Sequence, residues 1–414
     1  MNAEIIAIGS ELLTPFRQDT NSLYLTKRLN DLGVEVVFKT IVGDTREHLV
    51  QAASLALSRA DIVLFMGGLG PTEDDLTREA VAEALGLELR RDPNIVAAIE
   101  HRFAARGWKM PANNAKQGDV LAGATVLPNA NGTAPGQWIS GKYEGREKFI
   151  LLLPGPPHEL KALFEEQCFE RLRSKLPPRF IVTRELKITG LGESHCDARV
   201  APIYQRFPDV QTTILAAAGE IQLHLKSSAA SQAAAQQKVD ALVSQIEDEL
   251  GDCVFSDNGD SMEQIVGYYL EMRNTTLAVA ESCTGGLIAE RITSVSGSSR
   301  YFLGGAIVYS NPLKTELAGV PAELIEKHGA VSREVAAALA EGIRRRSGSS
   351  LGLAVTGIAG PTGGTPEKPV GLVFHGLASD RSTEVVERRF PGDRKRIRWF
   401  ASQQALDMVR RSLL

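Results

Sequence analysis

Ser282 stands in the run Ala280-Glu281-Ser282-Cys283-Thr284-Gly285-Gly286, between an apolar segment and a helix-forming one. A hydroxyl at a strand-to-helix turn lies beside free backbone N–H groups, so one turn can present a nucleophile and an oxyanion hole together. The donors expected for the oxyanion are the N–H groups of Thr284, Gly285 and Gly286. A serine nucleophile needs a base. No histidine is close in sequence, although His328 and His375 can approach in space. Lys314, in Tyr309-Ser310-Asn311-Pro312-Leu313-Lys314, becomes a base if burial lowers its pKa. Tyr309 then stands where it can relay a proton or orient the amine. Cys283 is the rival nucleophile, but a lysine base suits an alcohol better than a thiol. The plainer alternative is that Ser282 or Thr284 caps the helix and Lys314 is solvated.

Two more stretches belong to this part of the chain. Thr356-Gly357-Ile358-Ala359-Gly360-Pro361-Thr362-Gly363-Gly364 follows an apolar strand and reads as a backbone-lined cradle for an anion or amide. Gly392-Asp393-Arg394 opens the last helix. A cation there opposes the helix dipole, which points to an anionic ligand at Arg394. Lys395, Arg396 and Arg398 are expected on a solvated face.

A different chemistry is written near the N-terminus, in Gly67-Gly68-Leu69-Gly70-Pro71-Thr72-Glu73-Asp74-Asp75-Leu76-Thr77. The glycines let backbone N–H groups approach an anion at a helix start. Three acids in the same turn repel a bare phosphate, and a divalent cation between them removes the conflict. Capping by Asp74 or Asp75 explains one acid, not three, and none of the glycines. Gly9-Ser10-Glu11, Gly43-Asp44 and Pro154-Gly155-Pro156-Pro157-His158-Glu159 also fall at strand ends, where ligands sit in open α/β sheets. Asn131-Gly132-Thr133-Ala134-Pro135-Gly136 is a turn or a ligand clamp. Gly136 to Tyr143 nearly spells a P-loop, but Tyr143 replaces the required Ser/Thr. Its flanks, Trp138-Ile139 and Phe149-Ile150, read as a hairpin with no helix following.

The elements that must hold these groups alternate. Ile5–8, 34–38, 62–65 and 150–153 read as strands, with helices at 23–32 and 45–58, so a parallel sheet covered by helices is expected. A second unit from about Arg179 to Gly251 reads β-α-β-β-α, a small α+β module. A linker, 252–261, leads to a third alternating region that closes on a helix carrying Ile397, Phe400, Ala401, Ala405, Met408 and Val409 on one face.

Composition narrows the classes. The chain has 414 residues and a net charge of 46 minus 50, or −4, which argues against a general polyanion binder. The middle unit carries four Lys/Arg against eight Asp/Glu between Gly190 and Gly251, so it reads as a connector and not as a nucleic-acid surface. Four scattered cysteines without a C-x-x-C fit a reducing, cytoplasmic setting. There is no signal-peptide pattern, and no apolar run is long enough to span a bilayer.

These motifs, with Lys368-Pro369-Val370-Gly371, resemble the CinA (competence/damage-inducible) family over essentially the whole length. The resemblance implies an α/β chain of three domains: a molybdopterin-binding-like domain at 1–175, a KH-like connector at 176–252 and an amidohydrolase domain at 253–414. It implies a C-terminal nicotinamide mononucleotide amidohydrolase with Ser282 and Lys314 as dyad, and no cofactor there. Thr284, Gly285, Gly286, Thr356, Gly357 and Arg394 are then its substrate contacts. For the N-terminal domain it implies a metal-dependent ADP-ribose pyrophosphatase using Mg, Mn or Co. Gly67, Gly68, Gly70, Thr72, Thr77, Gly155 and Glu159 would hold the substrate, and Asp75, Asp74 and Glu11 the metal. A homodimer is expected, with no membrane or nucleic-acid partner. Two departures stand out: Leu372 where the family often has threonine, and Gly190-Leu191-Gly192 in place of a G-x-x-G loop. Two alternatives remain open, a non-catalytic pterin or nucleotide module in the N-terminal domain and a regulatory partner in DNA uptake.

Overall fold

The structure is a computed structural model that describes every residue except Glu144. It divides into two compact units. One comprises Met1–Val182 with Ser228–Gln236, the other Thr183–Ser227 with Gln237–Leu414.

The first unit is built on β1 (Asn2–Ile8), β2 (Glu35–Val42), β3 (Ile62–Met66), β4 (Leu89–Arg91), β5 (Asp119–Leu121), β6 (Thr125–Leu127), β7 (Gly136–Tyr143) and β8 (Arg146–Leu153). Six of these form one sheet in the order β2-β1-β3-β8-β7-β6, while β4 and β5 pair separately. β2, β1, β3 and β8 run parallel, and β7 and β6 are antiparallel additions. Strands covered on both faces must be apolar at every position, not at alternate ones. β3, Ile-Val-Leu-Phe-Met, is buried throughout. On β1, Ile5 and Ala7 join the core on one face, and Ile6 and Ile8 the core on the other. The hairpin expected around Trp138 and Phe149 is β7–β8, so the near-P-loop is strand.

A further sheet, most of whose residues fall in the second unit, is formed by β9 (Phe180–Ile188), β10 (Val210–Ala217), β11 (Glu220–Ala229) and β12 (Val254–Ser256) in the order β10-β11-β9-β12. The third sheet is β13 (Leu277–Glu281), β14 (Phe302–Ile307), β15 (Leu351–Gly357), β16 (Leu372–Ala378) and β17 (Thr383–Arg389), in the order β14-β13-β15-β16-β17. β14, β13 and β15 are parallel; β16 and β17 are antiparallel. β17 is an edge strand of partial, irregular burial, so it carries no clear alternation in sequence. The C-terminal helix Arg394–Leu413 packs Ile397, Ala401, Ala405 and Leu406 against one face, with Leu277, Val279 and Leu353. The helix Arg333–Ser347 covers the other through Val335, Leu339 and Ile343. Among the described residues no helix is long and apolar enough to cross a membrane.

One close approach in this layer matters for the site. The helix Asn311–Ala318, which carries Lys314, meets the helix Arg333–Ser347 at Gly342. A Cβ at Gly342 would lie 1.6 Å from the Ala318 carbonyl oxygen, so only glycine lets the two backbones approach. Gly342→Ala is expected to push the Lys314 helix outward and cost about 1–3 kcal/mol, the usual overpacking range. A thermal melt should show a Tm several degrees lower.

Candidate functional site

At the first unit, the parallel strands bring four loops to one sheet edge. Gly9–Leu12 after β1, Asp44 after β2, Gly67–Asp75 after β3 and Pro154–Glu159 after β8 line one cavity of about 630 Å³. Thr133 and Ala134 of the 131–136 loop, Gln117, and the segment Arg17–Asn21 complete the wall. The glycines are required by how closely the loops pack. Gly67 (φ 99°) would place a Cβ 2.4 Å from the Ile8 carbonyl, and Gly68 (φ 64°) would place one 2.2 Å from Thr77 Oγ1. Thr77 is fully buried and donates to the Gly67 carbonyl at 2.8 Å. Its hydroxyl closes the loop and does not line the cavity, which corrects its expected role as a substrate contact. Gly155 packs on the Gly67 Cα, and its carbonyl accepts from Asn21 Nδ2 at 2.7 Å.

The acids converge only in part: Asp74 and Asp75 meet at Thr72, and Glu11 does not join them. Thr72 Oγ1 donates to the carboxylates of both Asp74 and Asp75, and Thr72 N donates to Asp75 Oδ2 at 2.9 Å. Asp75 thereby folds over Gly70, where a Cβ would lie 2.4 Å from Oδ2. Glu11 folds instead over Gly9, and Glu159 is held by Asn129 Nδ2 at 2.7 Å. Among the described residues no three His, Cys, Asp or Glu form a group able to hold a metal ion. The set Asp75, Asp74 and Glu11 is therefore not a preformed cage. The donors still fit a hard cation of the magnesium type, which takes one or two carboxylates and completes its shell with water and phosphate oxygens. The Thr72 hydroxyl, and to a lesser degree Lys116, hold the Asp74 carboxyl below its ordinary range, which keeps it anionic.

In the second unit, the turn after β13 is shaped by Glu281. Its buried carboxylate accepts from Gly286 N at 2.9 Å, Ile288 N at 3.1 Å and Ala289 N at 2.8 Å. The helix Leu287–Thr293 is thus capped by an acid from the preceding strand, not by Ser282 or Thr284. Ser282 N donates to the Val355 carbonyl at 3.0 Å, fixing its backbone, while among the described residues its hydroxyl has no hydrogen-bond partner. The expected oxyanion donors must be corrected. Gly285 N donates to the Ser282 carbonyl and Gly286 N to Glu281, so both are spent. Among the described residues the N–H groups of Cys283 and Thr284 have no oxygen acceptor, and that of Cys283 faces its own thiol.

Lys314 is 2% exposed. Its Nζ lies 2.9 Å from the Val308 carbonyl and 3.4 Å from that of Tyr309. Val308 N in turn donates to the Glu281 carbonyl, which seats this strand end beside the Ser282 turn. Burial pushes the Lys314 ammonium below the ordinary lysine range, with Cys283 as a lesser opposing influence. A neutral amine has two N–H groups, which the two carbonyls accept, and one lone pair left to take a proton. It is the Tyr309 carbonyl, not its phenol, that meets Lys314. The phenol, 57% exposed, accepts from Arg394 Nη2 at 2.8 Å, and Arg394 Nη1 donates to the Gly360 carbonyl at 3.0 Å. Tyr309, Arg394 and the 356–364 loop therefore meet. The Thr356 hydroxyl is spent on the Ala330 carbonyl at 2.7 Å, and Gly357 is explained by its close packing on Leu372 and Val373.

The two candidate histidines have other partners. His375 is buried in the core with Nε2 3.1 Å from the Ala401 carbonyl, and burial drops it to about 4. His328 lies 3.5 Å from Glu334. Burial pushes the Cys283 thiol up to about 12, so the rival nucleophile is held protonated.

Comparison with known proteins bears on the whole chain. A "CinA-like protein" of Koribacter versatilis is 64% identical over 414 residues, all of both chains. The chain belongs to the CinA family. Another CinA-like protein, from Acidobacterium capsulatum, is 60% identical, again over the full length of both. Three family models tile the CinA chain: a probable molybdopterin binding domain at 4–174, a damage-inducible protein CinA KH domain at 183–256 and a CinA C-terminal domain at 259–413. Among solved structures, the competence/damage inducible protein of Agrobacterium tumefaciens is 37% identical, covers 37% of this chain and 93% of its own, and has a TM-score of 0.36.

Three groups in this CinA chain escaped sequence reading. Glu281 was visible as an acid before a helix start, the only signal it gives. The segment Arg17–Asn21 reaches the first cavity from a loop with no glycine signature. Arg398, expected on a solvated face, donates to the Thr284 carbonyl. Reactivity of the thiols checks the burial argument. Iodoacetamide on the folded protein at pH 8 should modify partly exposed Cys253 first and leave Cys168, Cys196 and Cys283 until denaturant is added.

Proposed function

We propose that the chain is a bifunctional hydrolase of pyridine-nucleotide breakdown products. The C-terminal region deamidates nicotinamide mononucleotide to nicotinate mononucleotide and ammonia, and the N-terminal region hydrolyses ADP-ribose to AMP and ribose 5-phosphate. The observation that carries the first activity is a buried lysine, its charge disfavoured and its amine held by the carbonyl of Val308, whose N–H is bonded to the Glu281 carbonyl next to Ser282, a serine whose hydroxyl caps nothing. Ser282 Oγ attacks the carboxamide carbon while the Lys314 amine takes its proton. The Cys283 and Thr284 N–H groups face the oxyanion, each worth about 3 kcal/mol. Lys314 returns the proton to the departing nitrogen, ammonia leaves, and water releases the acyl group from Ser282 by the reverse relay. Arg394 holds the 5′-phosphate with the N–H groups not engaged by Gly360 and Tyr309.

The cavity of the first unit supports the second activity. It is an opening at the carboxyl ends of parallel strands, lined by backbone of the glycine loop and by carboxylates. Asp74 and Asp75 would hold a divalent cation together with diphosphate oxygens; the cation supplies charge neutralisation of the diphosphate. Gly67–Gly70 and Gly155 let the diphosphate approach the backbone, and Glu159 and Thr72 stand at the wall.

Single substitutions Ser282→Ala and Lys314→Ala should each remove nearly all ammonia release, and the double variant should lose little more, because the pair acts as a unit. Because the working amine is neutral, wild-type kcat should rise with pH through the lowered Lys314 pKa and level off below the ordinary lysine value near 10.4. A serine variant that still turns over, or a dead Cys283→Ala, would defeat the assignment. Asp75→Ala should abolish metal-dependent release of AMP from ADP-ribose and leave amide hydrolysis intact, measured across a metal titration. Binding of ADP-ribose without cleavage at any metal concentration would favour the non-catalytic module instead.

A further inference from the structure

Arg398 lies one helical turn after Arg394, on the helix Arg394–Leu413. Its Nε, at 3.1 Å, and its Nη2, at 2.5 Å, both donate to the carbonyl oxygen of Thr284. The peptide unit that carries this carbonyl also carries the Gly285 N–H, which donates back to the Ser282 carbonyl at 3.1 Å. One peptide plane is therefore gripped at both ends. The residues that follow, Gly285 and Gly286, have φ of 59° and 93°. Glycines impose little shape of their own, so the turn takes its shape from its partners. Glu281 grips it from the helix side and Arg398 from the carbonyl side. The Ser282 hydroxyl and the Cys283 and Thr284 N–H groups lie between the two grips.

The helix that carries Arg398 is itself fixed. Arg394 reaches the Gly360 carbonyl and the Tyr309 phenol. Trp399 Nε1 donates to the Ala218 carbonyl at 2.7 Å, and Arg291 stacks over its ring at 4.4 Å. A charged fork on a neutral carbonyl is stronger than a neutral hydrogen bond, and it leaves the guanidinium without a carboxylate partner among the described residues. A solvated arginine has no reason to hold that geometry.

We infer that Arg398 is a positioning residue for amide hydrolysis. It fixes the turn that aims Ser282 and the oxyanion donors, and it ties that turn to the helix end where Arg394 receives the substrate's phosphate. This rests on the amidohydrolase reading above. Binding energy from the remote phosphate is then used in the chemical step, which lowers the barrier instead of only tightening binding. A substrate without the phosphate loses kcat as well as affinity, and much of that kcat difference disappears when Arg398 is removed.

The test uses the full-length protein as wild type, Arg398→Ala, Arg398→Lys and Lys395→Ala. Two quantities are read: kcat and KM for nicotinamide mononucleotide and for its dephosphorylated nucleoside, and hydrogen exchange of the backbone at 282–289. For Arg398→Ala, kcat on the mononucleotide should fall about 100-fold, the cost of a misplacement near 1 Å. Its KM should stay within about threefold, since the interaction is made in the chemical step. Exchange at 282–289 should accelerate. Arg398→Lys, with one donor in reach where arginine brings two, should recover part of both losses. Lys395→Ala, an exposed neighbour, should match wild type. Should Arg398→Ala fail to fold, Arg398→Lys and Arg398→Gln carry the same comparison. A kcat within twofold of wild type, a rise in KM alone, or unchanged exchange at 282–289 overturns the inference. If the wild type turns over no mononucleotide, the amidohydrolase reading fails. The exchange measurement then decides by itself whether Arg398 holds the turn.

Discussion

A single buried carboxylate organises the C-terminal site. Glu281 ends β13 and accepts three backbone N–H groups from the start of the helix Leu287–Thr293. A helix start leaves its first N–H groups without intrahelical partners, and its dipole favours negative charge there. Hydrogen bonds to a charged acceptor contribute about 1.5–3 kcal/mol each, so this cap is a strong local determinant. Because Glu281 does the capping, Ser282 and Thr284 are released from it. The freedom of the Ser282 hydroxyl is thus a consequence of where the acid sits, one residue earlier.

The same turn depends on layers further out. Ser282 is held through its backbone by Val355 of β15, and Val308 at the end of β14 is held by Glu281. Lys314 is brought to that strand end by a helix whose close packing requires glycine at position 342. Parallel pairing of β14, β13 and β15 therefore brings together the three segments that the proposed chemistry needs. Among the described residues the lysine has no carboxylate partner; two carbonyls accept from it, and burial disfavours its charge.

In the N-terminal region the organising device is different. Parallel strands end at one edge, and loops that must cross there approach within contact of one another's backbones, so Gly67, Gly68 and Gly155 pack without side chains. Thr72 gathers Asp74 and Asp75, while Glu159 is held by Asn129 and Glu11 folds over Gly9. Such an edge favours a ligand that brings its own oxygen atoms, because the protein supplies backbone and scattered acids and no closed ligand cage.

The sequence by itself settled the alternation of strands and helices, the parallel core of β1, β3 and β8, the hairpin that excludes a P-loop, and the glycine and serine turns at strand ends. Those features are local: apolar runs, helix starts and glycine clusters are printed in consecutive residues. Tertiary structure alone decided what each polar group does. Thr77 and Thr356 look like ligand contacts, and the fold gives their hydroxyl protons to the Gly67 and Ala330 carbonyls. Tyr309 meets Lys314 through its carbonyl, and Arg398, expected in solvent, lies on Thr284 across 114 residues of chain. A hydrogen-bond partner distant in sequence leaves no periodicity to read, and the same hydroxyl serves substrate or scaffold according to which backbone the fold brings beside it.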